Sequence, residues 1–263
     1  MLRPNLLKQK LRRKQSAFGL FCSIPSPVAV ELIGEAGFDF VIIDTEHVMV
    51  NPETLENMIR AAEAVGLTPL VRVSDISLKE ILRALDGGAQ GIVVPRVENA
   101  DEMQRIIAGC KYYPVGSRSL NGGRPGSFGK HGLAEYIAKA NNEIMVVPMI
   151  ESLAGVERIA DILSVPGVDL VLEGAADLSQ SCGFPWQIAA EPVQQALQRI
   201  HQACDQVGVP YCAIPRAEGD YEAWSAKGVC TFVLGDERGI AFRALQTKLN
   251  SISFSEGISR DNK

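Results

Sequence analysis

The stretch of the chain with most chemical potential is Phe40-Val-Ile-Ile-Asp-Thr-Glu-His47. Val41, Ile42 and Ile43 form a continuous apolar run, as expected of a strand covered on both faces in a parallel sheet. The run ends in three ionisable side chains, Asp44, Glu46 and His47. His47 is a candidate general acid/base, because an unperturbed imidazole titrates near neutrality. Asp44 can fix its tautomer by accepting a hydrogen bond from the other ring nitrogen. The plainer alternative is a histidine that merely starts a helix. Arg72, after Val71 at the end of another apolar run, carries a permanent charge able to grip a carboxylate or an enolate oxygen. Its structural alternative is an ion pair with a neighbouring acid.

Glu151 and Asp177 are the candidate metal ligands. Carboxylate oxygens with no Cys or second His nearby suit Mg2+ or Mn2+ better than a zinc cage. Two protein ligands also leave positions for water and substrate. Each acid has a plainer reading, Glu151 as a helix-start acid stabilised by the dipole and Asp177 as a cap. Gly174, Ala175 and Ala176 form a small-residue turn that lets a substrate carboxylate approach backbone N–H groups. His131 falls in an irregular stretch and His201 in a helix, and both are read as solvent-facing.

These residues need elements to position them. Hydrophobic patterning predicts strands at 18–23, 40–44, 69–73, 91–95, 144–150, 169–173, 210–214 and 230–234. Helices fall between them, with Asn51, Ser77 and Asn99 as caps and one continuous helix over 153–163. The longest irregular stretch, 112–129, is rich in Gly, Ser, Pro and Arg and reads as functional or mobile. Eight alternating units predict a single (β/α)8 TIM barrel over 1–263, with a short N-terminal helix and a frayed C-terminal tail. An open doubly wound sheet is the alternative, weakened because no Gly-x-Gly-x-x-Gly follows the first strand. In a barrel, active groups sit at the carboxyl ends of the strands. Ser23, Asp44, Glu46, His47, Arg72 and Arg96 occupy such ends in the first half, and Glu151, Glu173, Asp177, Arg216 and Asp236 in the second. That is more charge than a rim buries without a metal or an anionic ligand.

Composition narrows the partners. The chain has 263 residues, 46% hydrophobic and 22% charged, with a net charge of −5. It lacks the basic footprint of a nucleic-acid binder. The basic run Lys8-Gln-Lys-Leu-Arg-Arg-Lys14 reads as a solvated amphipathic helix. Six cysteines without a CxxC pair read as reduced thiols of a cytoplasmic protein. No signal peptide is expected, and no apolar run reaches the roughly 18 residues of a membrane span.

Several segments together resemble the HpcH/HpaI aldolase family of the phosphoenolpyruvate/pyruvate superfamily. They are Ala36-Gly-Phe-Asp-Phe40, Ile43-Asp-Thr-Glu-His47, Val71-Arg72, Gly91-Ile-Val-Val-Pro95, Ile150-Glu151 and Ala176-Asp-Leu-Ser179, in the expected order over most of the chain. The resemblance implies a (β/α)8 barrel with Mg2+ or Mn2+ on Glu151 and Asp177. It implies a 2-oxo acid chelating that ion, His47 with Asp44 as acid/base, and Arg72 stabilising the enolate. It also implies a homodimer or trimer of dimers with a terminal helix packed across the neighbour.

Two departures separate this chain from the pyruvate aldolases of the family. Met149 stands where they commonly carry Gln, and Gly174-Ala-Ala-Asp177 after Glu173 replaces Gly-Pro-Ala-Asp. With Leu172-Glu-Gly-Ala-Ala-Asp-Leu-Ser-Gln180 and Pro185-Trp186, the chain is most similar to the citrate synthase branch of staphyloferrin B-type siderophore pathways. That similarity implies condensation of acetyl-CoA with oxaloacetate, and Arg118, Arg124 and Arg216 as extra contacts for the added carboxylates. The alternative is a metal-dependent aldolase that cleaves a 4-hydroxy-2-oxo acid to pyruvate and an aldehyde.

Overall fold

The computed structural model describes residues 2–130 and 132–253. His131 and the expected frayed end beyond Ser253 lie outside the described residues. Eight parallel strands run in chain order: β1 (Ala17–Cys22), β2 (Phe40–Asp44), β3 (Thr68–Arg72), β4 (Gly91–Val94), β5 (Met145–Ile150), β6 (Val171–Glu173), β7 (Tyr211–Ala213) and β8 (Thr231–Asp236). β1 pairs with both β2 and β8, so the ring closes and an open sheet is excluded. The architecture is the expected single-domain (β/α)8 barrel.

Strand alternation explains both cores. Phe40, Ile42, Leu70, Val93, Met145, Val147, Met149, Leu172, Cys212 and Val233 fill the barrel interior. Val41, Ile43, Val71, Ile92, Val146, Ile150 and Val171 pack outward against the helices. Side chains alternate with a period of two. The next inward places after Ile42, Leu70, Met149 and Leu172 therefore belong to Asp44, Arg72, Glu151 and Gly174. The site residues are the top layer of the barrel core, where packing gives way to solvent at the carboxyl ends.

Helix α1 (Leu6–Arg12) closes the opposite end. Leu7 is fully buried among the interior residues, and its N–H donates to Thr68 Oγ1 at 3.2 Å. The basic run is therefore not simply solvated: Lys8 pairs with Asp169 and Lys10 with Asp39, each at 2.6 Å. These ion pairs fasten a plug whose apolar face the barrel bottom covers.

Between the strands lie α2 (Pro27–Glu35), α3 (Pro52–Ala64), α4 (Leu78–Gly87), α5 (Ala100–Cys110) and α6 (Leu133–Glu143). Asn51, Ser77 and Asn99 cap α3, α4 and α5 as expected, each accepting a backbone N–H. The expected helix over 153–163 is broken at Arg158 (φ −104°, ψ 15°) into α7 (Leu153–Glu157) and α8 (Ile159–Ser164). The expected turn after Gly174 is helical: α9 spans Ala175–Ser181. Small residues read as a turn, yet Ala is the strongest helix former.

Helix α10 (Glu191–Val207) precedes β7, and α11 (Asp220–Ala226), which the sequence reading missed, follows it. Trp224 of α11 explains a correction at His201. The imidazole is half-buried rather than solvent-facing, with its ring centroid 5.5 Å from Tyr211 and 5.6 Å from Trp224. The last helix, α12 (Glu237–Ser253), leaves Ile240, Phe242 and Leu245 exposed. No described helix is long and apolar enough to cross a membrane.

Candidate active site

Asp44 and Arg72 face each other across the register pair that ends β2 and β3. Arg72 Nε donates to Asp44 Oδ1 at 3.0 Å, and Nη2 lies 2.9 Å from Oδ2, a two-pronged pair with both residues buried. The guanidinium also sits 4.6 Å from the centre of the Phe21 ring. Asp44 Oδ1 further accepts the backbone N–H groups of Glu46 (3.1 Å) and His47 (3.4 Å). Asp44 thus holds Arg72 and the main chain of the β2–α3 loop. It does not hold the His47 ring, the arrangement expected from the sequence.

The acid beside that ring is Glu46, whose Oε2 lies 3.8 Å from His47 Nε2. The same oxygen is buried and only 3.2 Å from Arg72 Nη1, without the alignment of a hydrogen bond. Burial pushes the Glu46 carboxyl up, and Arg72 and His47 pull it back. His47 is 60% exposed and stands on the wall of an open cavity of about 500 Å3. An exposed imidazole beside a carboxylate and an open volume can exchange protons with a bound molecule.

Glu151 follows β5 and is 3% exposed. Its Oε1 accepts the backbone N–H of Arg96 at 2.8 Å. Arg96 takes a left-handed conformation (φ 52°) that is uncommon for a non-glycine residue. From this rim position the backbone of Arg96, rather than its side chain, reaches the site. Gly174 is required opposite: a Cβ there would lie 2.5 Å from Glu151 Oε2 and 2.5 Å from its Cβ. The glycine leaves that carboxylate oxygen its room beneath the cavity floor. Burial first, then the charge on Glu46, pushes the Glu151 carboxyl up to about 7, with the Arg96 N–H opposing and Asp177 adding to the rise.

Asp177, in the first turn of α9, lines the cavity with Gly174 and Ala176, whereas Ala175 is fully buried behind them. The charge of Asp177 adds to the rise at both Glu46 and Glu151, and that of Glu46 adds to the rise at Glu151. A divalent cation would relieve that repulsion. Among the described residues no group of three or more His, Cys, Asp and Glu is arranged to hold an ion. Glu151 and Asp177 suit a hard ion that keeps several positions for water and ligand, as Mg2+ does.

The structure does not bring Arg118 and Arg124 to this cavity. The Arg118 side chain is fully buried, 2.8 Å from Asp86 of α4 and over the ring of Tyr112 at 4.7 Å. Arg124 forms a two-pronged pair with Glu63 of α3, at 3.0 and 2.6 Å. Both loop arginines fasten the 112–129 segment to helices. Ser117 and Arg118 N–H groups, bonded to Ala108 and Lys111 carbonyls at 2.8 and 2.9 Å, fasten it further. Arg216, by contrast, lines the cavity.

Phe21 and Arg238 also line it and went unnoticed in the sequence. Phe21 stands at the end of an inward-facing series on β1, a signal that alternation carries; Arg238 follows Asp236 with no pattern to mark it. Trp186 stands at the same rim, 81% exposed, in a left-handed conformation (φ 63°). Its backbone N–H donates to the buried Ser179 hydroxyl at 2.9 Å.

Residues 17–235 match the model of the HpcH/HpaI aldolase/citrate lyase family. The crystal structure of citrate synthase SbnG is 43% identical, with a TM-score of 0.89, over 96% of this chain and 99% of that one. An HpcH/HpaI aldolase/citrate lyase family protein from Burkholderia cenocepacia J2315 is 29% identical, with a TM-score of 0.88, over 94% and 99%. The 5-keto-4-deoxy-D-glucarate aldolase of Shigella dysenteriae serotype 1 (strain Sd197) is 30% identical over 94% of this chain and 95% of its own length.

Proposed function

Because the chain belongs to the HpcH/HpaI aldolase/citrate lyase family and is an enzyme of its lyase and synthase kind, we propose that it condenses acetyl-CoA with oxaloacetate to citrate. The observation that carries this reading is the 43% identity to a citrate synthase along nearly the whole of both chains. Met149 supports it. Arg72 Nη1 lies 3.9 Å from its sulfur, so an apolar thioether meets the guanidinium where the aldolases resembled by the sequence carry an amide.

Enzymes of this family generally depend on a divalent metal. Glu151 and Asp177 would hold Mg2+ or Mn2+, which supplies a Lewis acid for the carbonyl of a 2-oxo acid. The backbone N–H of Ala176, in the first turn of α9, receives the acid's carboxylate, while that of Gly174 is already bonded to the Ile150 carbonyl at 3.1 Å. Arg72, fixed by Asp44 and Phe21, puts a permanent charge where the carbonyl oxygen gains negative charge. His47 takes a proton from the acetyl methyl group. That carbon forms the new bond to C2 of oxaloacetate, the electron pair of the carbonyl moves to its oxygen, and His47 returns the proton to that oxygen as the citrate hydroxyl. Water then cleaves the thioester, releasing citrate and the CoA thiol. Such a product fits siderophore assembly, where citrate is a building block.

A second reading, cleavage of a 4-hydroxy-2-oxo acid to pyruvate and an aldehyde, is favoured by the 30% identity to 5-keto-4-deoxy-D-glucarate aldolase. One experiment separates the two. Incubation with acetyl-CoA, oxaloacetate and Mg2+ is expected to release free thiol and citrate in equal amounts. Pyruvate release from hydroxy-oxo acids without any thiol release would assign the aldolase reaction instead. The exposed Ile240, Phe242 and Leu245 of α12 support a homo-oligomer, a dimer or trimer of dimers, in which this helix packs on a second copy. Light scattering on the purified chain reads its mass directly.

A further inference from the structure

We propose that Arg216, held by Glu173, recognises the second carboxylate of a four-carbon 2-oxo acid. This rests on the reading of the cavity as a 2-oxo acid site and adds the residue that distinguishes a dicarboxylate from pyruvate.

Glu173 is fully buried. It pairs in register with Ile150, which packs outward, so it stands on the helix side of β6 rather than in the barrel interior. A carboxylate in such a place is costly unless it is paired. Its Oε1 accepts the Ile214 N–H at 2.8 Å and Arg216 Nη1 at 2.8 Å. Its Oε2 is buried with no hydrogen-bond partner among the described residues. Glu173 does not line the cavity, so its role there is exerted through Arg216.

Arg216 is fastened at one end only. Nη1 carries the bond to Glu173 and a second to the Ile214 carbonyl at 2.7 Å, while the main-chain N–H donates to Asp220 Oδ2 at 2.8 Å. Nε and Nη2 make no hydrogen bond to the described residues, and the side chain, 27% exposed, lines the cavity. A guanidinium fixed through one nitrogen, with the rest of its fork toward open volume, is prepared to accept a carboxylate. The other cavity arginines are less suited. Arg72 is engaged by Asp44 and Glu46. Arg238 is 59% exposed and 4.0 Å from its nearest acid. Arg216 follows β7, beside the β6 end that carries Gly174 and Asp177. A ligand anchored there by its first carboxylate and oxo group points its far end along the same rim.

The test compares dissociation constants of the Mg2+-loaded protein for oxaloacetate and for pyruvate by calorimetric titration. Arg216→Gln is expected to weaken oxaloacetate binding about tenfold or more relative to pyruvate. Arg216→Lys keeps the charge without the fork and should recover part of that loss. Glu173→Gln, which keeps the shape but loosens the hold on Arg216, should shift the same ratio less. In turnover, Arg216→Gln should act on KM for oxaloacetate more than on kcat. A ratio unchanged in both Arg216 variants overturns the proposal, as does a fall in kcat with KM constant. Neither titration contains acetyl-CoA. Failure of wild-type protein to release thiol would therefore remove the condensation reading and leave this comparison standing.

Discussion

Four arginines divide into two pairs that share a residue type and little else. Arg72 and Arg216 sit at or just past strand ends and line the cavity. Arg118 and Arg124 sit in the long loop and bind acids on α4 and α3. At a strand end the direction of a side chain is set by the barrel's alternation, so an inward place above an apolar core opens onto the mouth. A loop has no such constraint. Its long cationic side chains lay their stems against apolar surface and settle on the nearest carboxylate. Charge in a glycine-rich loop is therefore weaker grounds for a substrate contact than charge one step beyond an inward strand residue.

The sharpest break of this contrast is at the strand-end acids. Glu151→Ala or Asp177→Ala is expected to lower turnover by about three orders of magnitude or more, through loss of metal-assisted chemistry. The far-ultraviolet circular dichroism should stay native. Next, Arg72→Ala should lower kcat/KM by about two to three orders of magnitude, the scale of one lost donor to a developing oxyanion. Arg124→Ala should leave kcat/KM within about twofold and instead cost about 2 kcal/mol of stability, since it removes the two-pronged charged bond to the nearly buried Glu63. Urea unfolding and steady-state kinetics on the same preparations read both effects.

The acids offer a third comparison, through pH. Burial and the charge of Glu46 push the Glu151 carboxyl up to about 7 in the folded chain, from the ordinary 4.5 of a solvated glutamate. Between those values the folded protein keeps a proton that the unfolded chain has released, so its stability falls as pH rises through that window. At pH 8 the metal-free protein carries the full penalty, about 3 kcal/mol. Glu151→Gln should remove that slope and raise the melting temperature of metal-free protein at pH 8, though not at pH 4. The smallest change is expected for Arg118→Met. Arg118 Nε and Nη1 are buried without a hydrogen-bond partner among the described residues, and Asp86, paired with Nη2, is 26% exposed and regains water, so an apolar side chain of similar length should alter stability by only about 1 kcal/mol.

Much of this architecture was legible in the sequence, because eight apolar runs separated by capped helices carry their own periodicity. The site was legible where it continues that periodicity, at Asp44, Arg72 and Glu151. It was hidden where a contact depends on chain segments far apart. The two-pronged Asp44–Arg72 pair arises from register between β2 and β3, and without it Asp44 looked like a partner for His47. Gly174 read as part of a small-residue turn offering its N–H to a substrate carboxylate, whereas that N–H bonds the Ile150 carbonyl and the missing Cβ leaves room for Glu151. His201 read as exposed because α11, which brings Trp224 over it, gave no periodic signal.

The central claim is that Glu151 and Asp177 together hold one divalent ion at the barrel mouth. Titration of the protein with Mn2+, followed by the loss of the free-ion paramagnetic resonance signal, tests it most directly. The account predicts one bound ion per chain in wild-type protein and in Arg124→Ala, and none in Glu151→Ala or Asp177→Ala at the same concentrations. Full-strength binding in either acid variant would contradict it.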